Sequence, residues 1–353
     1  MQSFVYEALP SRVIFGSGTR ARLGDEIDRL GVRRALVLST PPQRAVATAL
    51  AASLGGRCVG VFSDARMHTP VDVTDSAMAR VLAEAVDGVV AVGGGSTIGL
   101  GKAIALRTDL PQVVVPTTYV GSEMTPILGE TKDGLKTTQK SPKILPETVV
   151  YDVDLTMTLP AGLSGTSGIN AIAHAVEALY ATDSNPIIAL MAEEGIRSLA
   201  SALPAITDNP DDRVARSDAL YGAWLCGVCL GAVGMALHHK LCHTLGGTFD
   251  LPHAETHTVV LPHAIAYNAA GAPAAMARIA RALGTRDAAL GMFDLAGRVG
   301  ARRALRDLGM PADGIDRAAE IASQNPYPNP IPIRADAIKN LIARAWSGDP
   351  PSV

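Results

Sequence analysis

Val89-Val90-Ala91-Val92-Gly93-Gly94-Gly95-Ser96-Thr97-Ile98-Gly99-Leu100-Gly101-Lys102 runs from a β-branched stretch through three glycines into apolar, helix-spaced residues. Strand, glycine turn and helix is the order in which a parallel α/β sheet cradles a phosphate. Without Cβ atoms at Gly93, Gly94 and Gly95 the backbone can close on a pyrophosphate, and the amides opening the helix at Ser96 and Thr97 would face its charge. The pattern is neither Gly-x-Gly-x-x-Gly nor a Walker A sequence, and a tight turn with no ligand could use the same glycines.

Outward from this turn the same alternation repeats. Ala35–Leu38, Cys58–Phe62, Val113–Val115 and Val149–Tyr151 are short apolar runs, separated by amphipathic stretches such as Gln43–Leu54 and Asp75–Val86. Apolar strands alternating with helices indicate a parallel sheet covered on both faces. Beyond Pro160 only helical periodicity is found, as far as Trp346. The expected architecture is a Rossmann-like α/β domain over residues 1–158 and an all-α domain over 159–353.

The 353 residues carry 31 Lys+Arg against 34 Asp+Glu, a net charge of −3, so nothing suggests a nucleic-acid or polybasic membrane surface. Four cysteines are too few for a disulfide scaffold, and the start lacks a basic region followed by an apolar one; a cytoplasmic protein is expected. Ala219–Leu237 is uncharged over its whole length and long enough for a membrane span, but its four glycines and several alanines suit one fully buried, closely packed helix. Cys226-Gly-Val-Cys229 inside it lacks the second ligand pair of a structural zinc site.

Two other strand ends could face a ligand. Pro116-Thr117-Thr118-Tyr119-Val120-Gly121-Ser122 offers hydroxyls after one strand. After the second strand stand Ser39 and Thr40, with Arg44 behind them, where many NAD sites keep a carboxylate for the ribose. With no carboxylate to repel a 2′-phosphate, NADPH is expected to be accepted alongside NADH.

The helical half concentrates histidine. Asn170/His174, His239/His243 and His253/His257 are i, i+4 pairs, each on one helix face, and six of eight histidines lie between 238 and 263. His253-Ala-Glu-Thr-His257 matches no zinc-protease motif.

Taken in order, Gly93-Gly-Gly-Ser96, Pro116-Thr-Thr, Leu159-Pro160, His174, His239-x3-His243 and Leu251-Pro-His253 resemble the iron-containing alcohol dehydrogenase superfamily from about residue 4 to 346. Within it, Pro116–Thr125, Ser167–Glu177 and His239–Phe249 are similar to the maleylacetate reductases, which reduce maleylacetate to 3-oxoadipate in the resorcinol, hydroxyquinol and chlorocatechol branches of aromatic degradation.

The resemblance implies a dehydroquinate synthase-like fold, NADH or NADPH as cofactor, a small dicarboxylate substrate and a homodimer. It places the cofactor at Ser39, Thr40, Gly93, Gly94, Gly95, Ser96, Thr97, Thr117, Thr118, Ser122 and Lys136. Catalysis would fall to His243, nearest the nicotinamide, with His253, His239 and His174; Asn170, His174, His239, Lys140 and His257 would bind substrate. Lys143 is a further cation in the same stretch as Lys136 and Lys140, and their roles are not separable.

Two departures from the metal-dependent members matter. Their Asp-and-three-His metal set is matched here by Asn170, His174, His239 and His253, and an amide supplies no charge to offset a divalent cation. Their Gly-Gly-Gly-Ser-x-x-Asp becomes Gly-Gly-Gly-Ser-Thr-Ile-Gly99. A metal is therefore not expected to be required. The alternatives are a metal-dependent alcohol or polyol dehydrogenase and a catalytically inactive nucleotide-binding protein.

Overall fold

The apolar runs form one parallel sheet because their side chains are buried alternately on two faces. A computed structural model describes the chain except residues 1–3, 5, 10, 325, 326 and 353 and the side chain of Lys136. Among the described residues the strands are β1 (Arg12–Gly16), β2 (Ala35–Leu38), β3 (Cys58–Phe62), β4 (Gly88–Gly93), β5 (Gln112–Pro116), β6 (Ile127–Lys132), β7 (Leu135–Lys140) and β8 (Thr148–Asp152). The sheet order is β1-β8-β5-β4-β2-β3, every pair parallel, while β6 and β7 make a separate antiparallel hairpin.

Helices α1 (Leu23–Arg29) and α2 (Arg44–Leu54) cover one face, where Leu23, Ile27, Leu50 and Leu54 meet Val37, Val90, Val92 and Val113. On the opposite face α3 (Val71–Ala83) and α4 (Gly95–Thr108) bring Val73, Ala77, Leu100 and Ile104 against Leu36, Leu38 and Val89. The chain leaves β2 outward to β3 and returns on the other side of β2 as β4, so the carboxyl ends of β2 and β4 lie side by side at a switch point.

This unit spans Ala8–Leu159. A second unit begins at Pro160 and is helical: α5 (Ala161–Tyr180), α6 (Pro186–Asp208), α7 (Arg213–Ala232), α8 (Leu237–Phe249), α9 (His253–Asn268), α10 (Pro273–Leu283), α11 (Ala288–Arg298), α12 (Gly314–Ser323) and α13 (Ala335–Ser347). Phe4, Tyr6 and Glu7 group with it rather than with the α/β unit, whose first strand among the described residues opens at Arg12.

Ala219–Leu237 is not one helix. α7 ends at Ala232, Val233 is extended, and α8 leaves at 95° to α7. The break has a polar cause. The Gly234 amide donates to the Asp183 carboxylate at 3.0–3.1 Å, and the Ala236 and His238 amides donate to Glu177 at 2.9 and 2.7 Å. Among the described residues no single helix is long and apolar enough to cross a membrane. The small residues do permit close packing: a Cβ on Gly195 of α6 would lie 2.8 Å from the Cys226 sulfur and 3.2 Å from the Gly222 carbonyl of α7.

Candidate active site

In the α/β unit the glycine turn is a close-fitting cradle. Gly93 closes β4 at φ +151°, and a Cβ there would lie 2.5 Å from Thr97 Oγ1 and 2.8 Å from Gln43 Oε1, so only glycine fits. Gly94 precedes the first turn of α4, which opens at Gly95 and Ser96 with amides that have no partner within the helix. The Thr117 amide donates to the Gly93 carbonyl at 3.1 Å, and Gln43 Nε2 donates to Thr117 Oγ1 at 2.7 Å. Thr118 Oγ1 stands 2.8 Å from where a Gly94 Cβ would be. Under this loop the buried Lys102 ammonium donates to the Ser122, Thr125 and Ile127 carbonyls at 2.5, 2.7 and 2.9 Å, fixing the segment that carries Ser122. The arrangement presents helix-opening amides and hydroxyls to an anion.

Ser39 is fully buried, its amide donating to Phe62 O; Thr40 is half-buried and precedes the turn that leads to Gln43. A carboxylate of the adjoining strand lies near Arg44. Asp64 follows β3, which lies against β2, and its carboxylate is 4.0 Å from Arg44 Nη2. Lys140 is exposed at the end of β7, and Lys143 pairs with Asp109 at 3.3 Å. The Lys136 side chain lies outside the described residues.

In the helical unit three helices bring the histidines together. Asn170, His174 and Glu177 share one face of α5; α8 contributes His238, His239, Cys242 and His243, and α9 opens with His253 and His257. Ring centroids are 5.2 Å apart for His174–His239, 5.1 Å for His239–His257, 4.3 Å for His253–His257 and 6.2 Å for His239–His243. His174, His239 and His257 are buried, His253 is half-buried and His243 is exposed.

Hydrogen bonding assigns the nitrogens. His239 Nδ1 is 2.6 Å from a Glu177 oxygen that already accepts from a backbone amide, so the ring proton sits on Nδ1 and Nε2 is left bare. His238 Nε2 and His257 Nδ1 share a proton at 3.0 Å. Asn170 Oδ1, His174 Nδ1, His239 Nε2 and His257 Nε2 are all buried without a protein partner. Burial first, then neighbouring imidazoles, hold His174, His238 and His257 well below the usual histidine range, so these rings are neutral.

Does this set suit a divalent ion? Asn170, His174, His239 and His253 supply one amide and three imidazoles, with no formal negative charge. The nearby Glu177 carboxylate is turned to two amides and the far nitrogen of His239. Among the described residues the group of three ligand atoms within 4.8 Å of one another is instead His238, Cys242 and His257. There the two imidazoles satisfy each other, and burial keeps the Cys242 sulfur a thiol by raising its pKa well above the usual value. Three imidazoles and an amide oxygen can hold zinc or iron(II), but with Asn170 in place of a carboxylate none of these ligands offsets the ion's charge.

Sequence reasoning missed two residues of this arrangement. Glu177 carried a signal, since it lies three residues after His174 and seven after Asn170 on the same helix face. Gln43, which joins the end of β2 to the glycine turn, carried none.

Comparison with known proteins agrees over the full length. The family described as iron-containing alcohol dehydrogenase matches residues 10–153, and its C-terminal part matches 164–346. The chain is 59% identical to a maleylacetate reductase of Sphingobium indicum and 57% identical to one of a Rhizobium species, covering 99% of this chain in each case and 99% and 100% of the relatives. The crystal structure of maleylacetate reductase from Agrobacterium tumefaciens superposes with a TM-score of 0.97 at 57% identity, over 99% of this chain and 100% of that one. The chain belongs to the iron-containing alcohol dehydrogenase family, on the branch of the maleylacetate reductases.

Proposed function

We propose that the protein is an NAD(P)H-dependent maleylacetate reductase that works without a resident metal. One observation carries this reading: a wall of buried, unpaired amide and imidazole atoms with an uncharged residue, Asn170, in the family's metal-ligand set. An alcohol dehydrogenase needs a Lewis acid for the charge developing on oxygen at the reacting carbon. Reduction of a carbon–carbon double bond conjugated to a ketone does not. NAD(P)H, when bound, supplies a hydride to the alkene carbon β to the ketone. The electron pair moves into an enolate, and the α carbon takes a proton, giving 3-oxoadipate.

Hydrogen-bond donors and one acid are then enough. His239, held through Nδ1 by Glu177, becomes a donor at Nε2 when that nitrogen is protonated. Asn170 can donate through its amide nitrogen to a substrate carboxylate. His243 is exposed, so it can reload a proton from water, which suits a proton donor to the α carbon. His174 and His253 line the enolate oxygen, and Lys140 or Lys136 offers a cation to a carboxylate or phosphate. A cytoplasmic homodimer belongs to the same reading.

The test is the loss of NADH absorbance when maleylacetate is added to chelator-treated protein. No oxidation would sink the assignment; activity that chelator abolishes and a divalent ion restores would favour an alcohol or polyol dehydrogenase. For the cofactor cradle, Gly94→Val places a branched side chain against Thr118 where the pyrophosphate would approach. The KM for NADH is expected to rise about tenfold or more, equivalent to ~1.4 kcal/mol, with little change in unfolding midpoint. An unchanged KM would show that the turn holds no phosphate.

A further inference from the structure

The carboxylate missing from the end of β2 is supplied by the neighbouring strand. Leu38 pairs with Phe62, the Ser39 amide donates to Phe62 O at 2.9 Å, and the Ala65 amide donates back to Ser39 O at 3.1 Å. Residues 63–65 therefore wrap the end of β2, and Asp64 is held beside Ser39. Its carboxylate, with Arg44, Thr48, Ser63 and Arg80, lines an open polar cavity of 240 Å³.

Gln43 ties this cavity to the cradle. Its amide reaches Thr117 and the empty space over Gly93, while the next residue, Arg44, reaches Asp64. A dinucleotide whose pyrophosphate rests on the glycine turn lies across the carboxyl ends of the strands at the switch point, and this cavity adjoins the end of β2 on that side. The Arg44–Asp64 pair has little structural role of its own. Its atoms are 4.0 Å apart and the side chains 64% and 61% exposed, and pairs of that kind contribute ~0–1 kcal/mol to folding. Arg80 is occupied differently, donating to the Val61 carbonyl at 2.7 Å and to Glu84 at 2.8 Å, which makes it a wall of the cavity.

We propose that Asp64 is the specificity-determining residue for the nucleotide: it accepts the ribose hydroxyls of NADH, repels the 2′-phosphate of NADPH and holds Arg44 back from that phosphate. The inference rests on the reading of the protein as an NAD(P)H-dependent reductase. Removing the carboxylate leaves Arg44 free to pair with a phosphate and removes the acceptor for the hydroxyls.

The experiment measures kcat/KM for NADPH and NADH with maleylacetate, and Kd for each nucleotide by fluorescence titration, in the parent protein, Asp64→Ala, Asp64→Asn and Asp64→Ala/Arg44→Ala. The NADPH/NADH ratio is expected to rise about tenfold or more in both single variants, mainly through KM and Kd for NADPH, and to fall back in the double variant. A ratio within about twofold of the parent in Asp64→Ala would overturn the proposal. Because Kd is read without turnover, a parent that binds both nucleotides but leaves maleylacetate untouched would fail the reductase reading alone. A parent that reduces maleylacetate with an unshifted ratio in the variants would fail this inference alone.

Discussion

Replacing Glu177 by alanine is expected to lower the unfolding free energy by about 3–5 kcal/mol, read from urea unfolding. The side chain is fully buried on α5 and accepts three hydrogen bonds, from the Ala236 and His238 amides and from His239 Nδ1. Two of those donors open α8 after the sharp break at the end of α7, where helix amides have no partner of their own. An alanine leaves three buried donors unsatisfied, each costing ~1–3 kcal/mol. Glu177→Gln separates folding from chemistry. Its amide oxygen can still accept one backbone bond, but its NH2 group cannot accept from the others, and it lacks the negative charge that supports a His239 ring carrying N–H at both nitrogens. A smaller loss of stability with a fall in kcat of about 10–10²-fold is expected, with KM for NADH little changed. A cost below ~1 kcal/mol for Glu177→Ala would show that α8 is not anchored through this carboxylate.

What the sequence disclosed divides along a physical line. β2, β4, β5 and β8 were legible because both faces of each strand are buried, which makes the run continuously apolar. β1 lies at the sheet edge with only Ile14 buried, so its short run did not stand out. The β6–β7 hairpin is polar and lysine-rich; its one signal was Asp133-Gly134, both at positive φ in the tight turn. The histidine pairs were legible because helical spacing alone puts i and i+4 on one face. The break between α7 and α8 was not, since its cause lies in Asp183 and Glu177, outside the apolar segment itself. Asp64 was hidden for a similar reason. Only the sheet order, which lays β3 against β2, brings its carboxylate towards the end of β2, from which a whole helix and strand separate it in the sequence.

Asn170→Asp is expected to turn the helical site into a metal site. Asn170 is buried one helical turn before His174, its Oδ1 has no protein partner, and Asp is nearly isosteric with it. The substitution places a carboxylate with His174, His239 and His253, giving one charged oxygen and three imidazole nitrogens. A unit charge ~4 Å from another is worth ~4 kcal/mol at an effective dielectric of about 20. Even after desolvation, divalent zinc or iron should therefore bind more than about tenfold tighter than in the parent, read by calorimetric titration of chelator-stripped protein. The gain comes at the expense of the reductase, because an imidazole nitrogen holding a metal can no longer donate to the enolate. The metal-loaded variant is expected to lose maleylacetate reduction and chelator to restore part of it. Equal metal affinity in parent and variant would mean that Asn170 does not face the imidazoles. A parent that purifies with a stoichiometric divalent ion and needs it for turnover would overturn the metal-free mechanism itself.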